Sequence, residues 1–495
     1  MTTPAINRST GWIRLLALCA AVSACGGNDS AAPAPAPAPA PAPSPGPAPA
    51  PGPDTQAPTV AFTAPSALAD GIANPFQMTA TATDNVGVAN VEFQVDGVTV
   101  ASVTSSPYAA NVDTTLYASG QHVLRTRASD AAGNQSAWAA LTVRFGGSRA
   151  MPSGFTRNTS FVSGLSNATA IAQLPQPDGR LLVTQQGGSL LVRQSNGAAI
   201  GTMLTLAVDS QGERGLLGVT PHPNFVSNGF IYLYYTTTAG GTHNRISRFT
   251  VNGNTASSEL VIADLPALSS ATNHNGGALH FGIDGKLYVA VGDNANSAQA
   301  PNLSLPFGKM LRFNDDGSIP GDNPFCTTAG SLACAVWARG LRNPFTFAVR
   351  ASDGRIHIND VGESTWEEIN LGAPGANYGW PATEGPTTAS GIIGPLFAYD
   401  HNSAPDNTAG FFNGCAIIGG AFYPDTGPFP QGYRGSYYFT DLCNPVIGRI
   451  DLANGNMAFA LGSVSGSGSP VGMVVANDGA LLVLTQTNIV RFTSP

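Results

Sequence analysis
The apolar positions of this chain fall in short runs bounded by Gly, Asp, Asn and Pro, the pattern of β-strands joined by tight turns. From Phe155 onward one unit recurs: a turn pair, then an apolar strand, then a second strand. Its copies are Asp178-Gly179 before Arg180 to Val183, Asn228-Gly229 before Phe230 to Tyr232, and Asp284-Gly285 before Lys286 to Tyr288. Three more follow: Asp353-Gly354 before Arg355 to His357, Arg434-Gly435 before Ser436 to Tyr438, and Asp478-Gly479 before Ala480 to Leu482. Six copies between 154 and 495 give a mean period of roughly 57 residues, within reach of a four-stranded blade with insertions. The periodicity predicts an all-β chain with a six-bladed β-propeller over 152–495. Two packed sandwiches are the alternative, and they do not require so regular a recurrence.

Residues 54–147 carry a different spacing. Val60-Ala61-Phe62, Phe76 to Thr83, Val91 to Val95 and His122 to Arg127 alternate between turn clusters at Asp84-Asn85 and Asp130 to Asn134, which predicts a small N-terminal β-sandwich. Asp84 and Asp130 suit turn capping, with calcium ligation as the rarer use. Before this module, Ala31 to Pro53 alternates Ala with Pro and cannot bury a core, so 26–53 reads as a stiff linker in extended polyproline conformation. Arg8 and Arg14 with the apolar run Trp12 to Val22 form an export signal over 1–25. Val22-Ser23-Ala24-Cys25 resembles a bacterial lipobox, which makes Cys25 a lipidated N-terminus and the membrane a partner through that anchor alone. An ordinary signal peptide cut near Ala24 is the alternative. Gly26 favours the outer membrane of the cell envelope.

Composition narrows the function classes. Charged residues are 11% of 495, with 58 Gly and 38 Pro, which suits many turns and short strands. A formal charge of -8 offers no basic field for nucleic acid, so small or neutral partners are expected instead. Of six cysteines, Cys19 leaves with the signal and Cys25 carries lipid; Cys326, Cys334, Cys415 and Cys443 remain. In an oxidising compartment they pair most simply as Cys326–Cys334 and Cys415–Cys443. A metal site is the rival, with no CxxC spacing behind it.

Polar chemistry concentrates between Thr272 and Pro381. The stretch holds Asn273-His274-Asn275-Gly276-Gly277, Val291-Gly292-Asp293, Gly340-Leu341-Arg342-Asn343-Pro344, Glu367-Glu368-Ile369-Asn370 and Asn377-Tyr378-Gly379-Trp380-Pro381. A base, carboxylates and an arginine thus recur at strand ends, where a rigid scaffold makes them converge.

The order of these motifs resembles the glucose/sorbosone dehydrogenase family, and the wording Thr-Ala-Thr-Asp-Asn-Val-Gly resembles bacterial Ig-like domains. The first resemblance implies a propeller that holds pyrroloquinoline quinone (PQQ) and Ca2+ at its mouth and oxidises a sugar. By it, His274 takes the proton of the anomeric hydroxyl while hydride passes to the quinone, and Asp293 orients the ring. Glu213 stands where a glutamine binds substrate, with a local ion pair to Arg214 as its structural alternative. Arg342 and Asn343 match a pair that meets the quinone oxygens, and Phe345 replaces a glutamine. Backbone carbonyls of Gly362 and Glu363 match calcium ligands, with Glu367 in place of an Asp. The family's lysine and Arg-x-Arg for the quinone's carboxylates fall on Pro424 and on Ser469-Pro470-Val471, with Arg245 and Arg312 as possible substitutes from other blades. The sequence names no electron acceptor. Two readings follow: a sugar dehydrogenase, or a non-catalytic envelope propeller that binds glycans or a protein.

Overall fold
The structure, a computed structural model, describes residues 54–66, 69, 72, 76–117, 120–145, 151, 154–326, 330–401, 414–452 and 457–494. The expected leader, linker and lipidated Cys25 lie outside the described residues. Within them the chain is almost entirely β, as the sequence pattern requires.

Residues Thr59 to Phe145 form two sheets. Thr59–Ala64, Phe76–Thr83 and Tyr108–Val112 make one; Val98–Val103, Val88–Val95, Gly120–Asp130 and Ala139–Phe145 make the other. Inward residues such as Met78, Phe93, Leu124 and Phe145 are buried in one shared core, so the period-2 alternation is what a sandwich with one wet face per sheet produces.

From Thr156 on, six four-stranded antiparallel sheets follow one another. Their first strands are Ala168–Gln173, Leu216–Pro221, Leu279–Phe281, Pro344–Val349, Ile417–Phe422 and Pro470–Val475, and each packs on the next in a closed ring. The six turn pairs seen in the sequence all sit between a first and a second strand. Their glycines, Gly179, Gly229, Gly285, Gly354, Gly435 and Gly479, hold φ between 66° and 81°, the left-handed region where a Cβ is costly.

Each sheet is covered on both faces, so its second strand reads as continuous apolar sequence rather than alternation. In Leu287–Val291 every residue is buried: Val289 enters the seam with the preceding sheet, Tyr288 and Ala290 the seam with the following one. Such apolar seams lie between every adjacent pair of sheets, including the sixth and first, where Leu482, Leu484 and Ile489 meet Ile171, Leu181 and Val183. The last sheet is completed from the other end of the segment. Thr156–Val162 pairs antiparallel with Ile489–Thr493, which closes the ring with hydrogen bonds.

This topology fixes where chemistry sits. A first strand runs away from one pole of the ring and a second strand runs back, so that pole collects the residues before first strands and after second strands. His274, Arg342 and Asn343 belong to the former group, Asp293 and Asp360 to the latter.

Candidate active site
Two glycines let the third sheet's loops meet. Gly276 has φ 63° and lies so close to Ala290 O that a Cβ would stand 2.6 Å from it; a Cβ on Gly292 would stand 2.3 Å from His274 O. His274 itself holds φ 57°, a strained value for a residue with a side chain. The strain is held by hydrogen bonds: its N–H donates to Glu213 Oε2 (2.8 Å) and its carbonyl accepts from Asn294 N (3.1 Å).

His274 is 8% exposed, and its Nδ1 donates to Asp293 Oδ1 at 2.7 Å. The other oxygen of Asp293 accepts from Trp380 Nε1 at 2.9 Å, so this buried carboxylate bridges two rings. A carboxylate acceptor fixes the proton on Nδ1 and leaves Nε2, which makes no hydrogen bond among the described residues, as the basic nitrogen. Behind Asp293, its N–H donates to Arg342 O (2.8 Å) and its carbonyl accepts from Gln299 Nε2 (3.0 Å). Lys309 braces the same loop, its Nζ donating to the carbonyls of Gln299, Ala300 and Phe307, and burial pulls its pKa down to about 7.

Arg342 and Asn343 are positioned by Asp360, whose two oxygens accept their backbone N–H groups at 3.0 and 2.8 Å. Burial, with Glu368 as a neighbouring charge, holds the Asp360 carboxyl well above its usual range. Arg342 donates from Nη1 to Val361 O and lies over the Trp380 ring, while its Nε is buried without a partner. Asn343 ties the centre together: Oδ1 accepts from Gly276 N, and Nδ2 donates to Glu213 Oε2. Glu213 is thus bound to the His274 loop. Arg214 pairs instead with Asp209 at 2.8 Å.

Beside this group lies a cavity of about 210 Å3 at the same pole. Asn167, Gln186, Glu213, Asn343 and Gln486 give it polar walls; Phe345, Ala416, Ile418, Leu442 and Val471 give it apolar ones. Glu213 is its only ionisable lining residue, and none of those described is Lys or Arg. The volume is small beside the roughly 300–1,000 Å3 of most ligand sites.

Three sequence expectations change here. Pro424 follows a first strand and therefore lies at the opposite pole, lining a separate opening of about 750 Å3, so it does not report on this cavity. The cavity wall on that sheet is Ala416, Ile418 and Leu442, beside the Cys415–Cys443 bond; Val471 lines it as the last-sheet match implied. Arg245 is engaged by Asp264 and Arg312 by Asp284 and Asp322, on their own sheets. Glu367 is wholly buried, with Oε1 bound to His401 Nε2 (2.5 Å) and Oε2 to Ile417 N (2.8 Å). The carboxylate at the Gly362–Glu363 loop is Glu384, whose Oε1 accepts the N–H groups of Glu363, Ser364, Thr365 and Trp366. Both expected disulfides, Cys326–Cys334 and Cys415–Cys443, are formed.

The roles of Trp380 and Glu384 are not legible in the sequence. Trp380 stands in Asn377-Tyr378-Gly379-Trp380-Pro381, but nothing local links it to a residue 87 positions away.

Comparison with known proteins identifies relatives of both parts of the chain. The Bacterial Ig domain profile matches residues 58–125. The aldose sugar dehydrogenase YliI of Escherichia coli (strain K12) is 30% identical over 274 residues, 54% of this chain and 73% of that protein. Quinoprotein glucose dehydrogenase B of Acinetobacter calcoaceticus is 31% identical over 262 residues, 47% of this chain and 53% of that one. The crystal structure of the soluble aldose sugar dehydrogenase of Escherichia coli in its apo-form superposes with a TM-score of 0.60 at 25% identity, over 69% of this chain and all of that one. The Glucose / Sorbosone dehydrogenase profile matches residues 165–492, two thirds of the sequence, and the chain belongs to that family.

Proposed function
We propose that the six sheets are the blades of one six-bladed propeller carried behind an Ig-like sandwich, and that its mouth is the active site of an oxidoreductase acting on a sugar or related alcohol. The observation that carries this reading is the Asp293 carboxylate shared between His274 Nδ1 and Trp380 Nε1. Nothing in turn formation requires a buried ion held against an imidazole, whereas a general base needs its tautomer fixed and its protonated form stabilised. His274 Nε2 takes the hydroxyl proton of the substrate, Asp293 stabilises the imidazolium, and the carbon-bound hydrogen leaves as hydride to an external quinone, which is reduced to the quinol as the alcohol carbon becomes a carbonyl. Glu213, Gln186 and Asn343 offer hydrogen bonds to sugar hydroxyls, and Phe345 and Leu442 an apolar face.

Membership of the family and a quinoprotein relative imply PQQ as acceptor. The residues present do not fit its three carboxylates. The wall formed by Ala416, Ile418, Leu442 and Val471 offers no cation, and Arg342 is the one guanidinium among the described residues that joins this group. Each charge-assisted bond forgone forfeits roughly 1.5–3 kcal/mol. No step is therefore assigned to PQQ; Glu384 takes up the N–H groups of the 362–366 loop, which leaves the carbonyls of Gly362 and Glu363 as the groups that would hold Ca2+, and no step is assigned to the ion.

The same wall favours a second reading, a propeller that binds glycans without oxidising them. Dye reduction with an aldose panel, using PQQ with Ca2+ and also uncharged quinones, separates the two. Sugar-dependent reduction with at least one acceptor supports the enzyme. Calorimetric sugar binding with no reduction by any acceptor supports the binder. A lipidated Cys25 would hold either at the cell envelope, and mass spectrometry of the mature N-terminus tests that anchor.

A further inference from the structure
Three aspartates of the N-terminal sandwich come together far apart in sequence. Asp54 precedes the first strand, Asp84 lies in the turn after Phe76–Thr83, and Asp130 ends Gly120–Asp130. One carboxylate oxygen from each lies within 4.8 Å of the others. Asp130 is 6% exposed.

Turn capping accounts for part of each carboxylate. Asp84 Oδ2 accepts from Val86 N and Gly87 N at 2.9 Å, and Asp130 accepts from Asn134 N (2.8 Å) and Asn134 Nδ2 (2.7 Å). Asp54 Oδ1 accepts from Gln56 N and Asn85 Nδ2, both at 3.1 Å. Capping leaves something over. Asp54 Oδ2 and Asp84 Oδ1 are sealed from solvent and accept no hydrogen bond at all. Among the described residues no Lys, Arg or His forms an ion pair with any of the three. Buried acceptors without donors, on like charges gathered within 4.8 Å, are destabilising unless a cation lies between them.

We propose that Asp54, Asp84 and Asp130 form a calcium site that ties the start of the sandwich to two of its turns. The donors are all oxygens, three of them carboxylate, and a flexible shell completed by backbone carbonyls and water suits Ca2+ better than the strict octahedron of Mg2+. The Asp54 carbonyl already accepts from Asn134 Nδ2 (3.2 Å), so the three segments are held together before the ion enters. The site is independent of the propeller mouth and of the reaction assigned to it.

Hydrogen exchange on the full chain, stripped with chelator and titrated with CaCl2, tests the proposal locally. Peptides covering 54–58, 84–88 and 130–135 are expected to slow at least about tenfold, with half-saturation near 10⁻⁴–10⁻³ M as in extracellular modules. Asp84→Asn and Asp130→Asn are each expected to move that half-saturation at least about tenfold, leaving propeller peptides unchanged. If either variant fails to fold, the wild-type titration still decides. Unchanged exchange at all three segments at 10 mM CaCl2, or equal protection by MgCl2, overturns the assignment.

Discussion

At the scale of single residues, the Asp293 carboxylate does two things, and substitutions separate them. Asp293→Asn keeps the shape but removes the charge that fixes the His274 tautomer, so turnover should fall roughly 10²–10⁴-fold with little change in fold. Trp380→Phe leaves Asp293 Oδ2 buried without its donor. That change should cost roughly 1–3 kcal/mol in thermal unfolding as well as lowering turnover. Glu368 sets a pH dependence of stability. Burial raises its carboxyl to about 7 in the folded chain from 4.5. The folded state then binds more protons, so the contribution is full below pH 4.5 and is lost as pH rises through about 7. Unfolding midpoints across pH 4.5–8 should decline on this account, and Glu368→Gln should flatten the slope. Neither Glu368's shift nor Trp380's partner is legible in the sequence, because both arise from contacts between elements.

At the scale of elements, the repeat was readable because every left-handed turn glycine had to recur. The residues of the mouth were also readable, since His274, Asp293, Arg342 and Asn343 stand in motifs at strand ends. Pro424 misled because position after a strand does not say which pole that strand points to: first strands leave the mouth, so their far ends cannot line it. Glu367 misled for a related reason. Its place in Trp366–Leu371 turns it into the interior, while the loop is served by a carboxylate 17 residues further on. The close approach at Gly292 gives an element-level prediction. Gly292→Ala places a Cβ 2.3 Å from His274 O and must push the two loops apart. A shift near 1 Å at the base should cost about 10²-fold in turnover, with far-ultraviolet circular dichroism unchanged.

At the scale of the whole molecule, the ring is closed by a strand 327 to 337 residues earlier in sequence, and Thr156–Val162 is so polar that its pairing is not visible in the sequence. Val162, the strand's buried end, lies in the seam between the sixth and first sheets. Val162→Asp puts an unpaired carboxylate there and should destabilise the propeller by roughly 3–5 kcal/mol, read as a lower urea midpoint. The effect should appear at every sheet, since seams join each to the next. The central claim, however, concerns what the closed ring holds at its mouth, and one comparison tests it most directly. Sugar-dependent dye reduction is measured for the wild type and for His274→Ala, each with its best acceptor. The account predicts sugar oxidation by the wild type and a loss of roughly 10²–10⁴ in kcat for the variant; turnover unchanged in His274→Ala would contradict it.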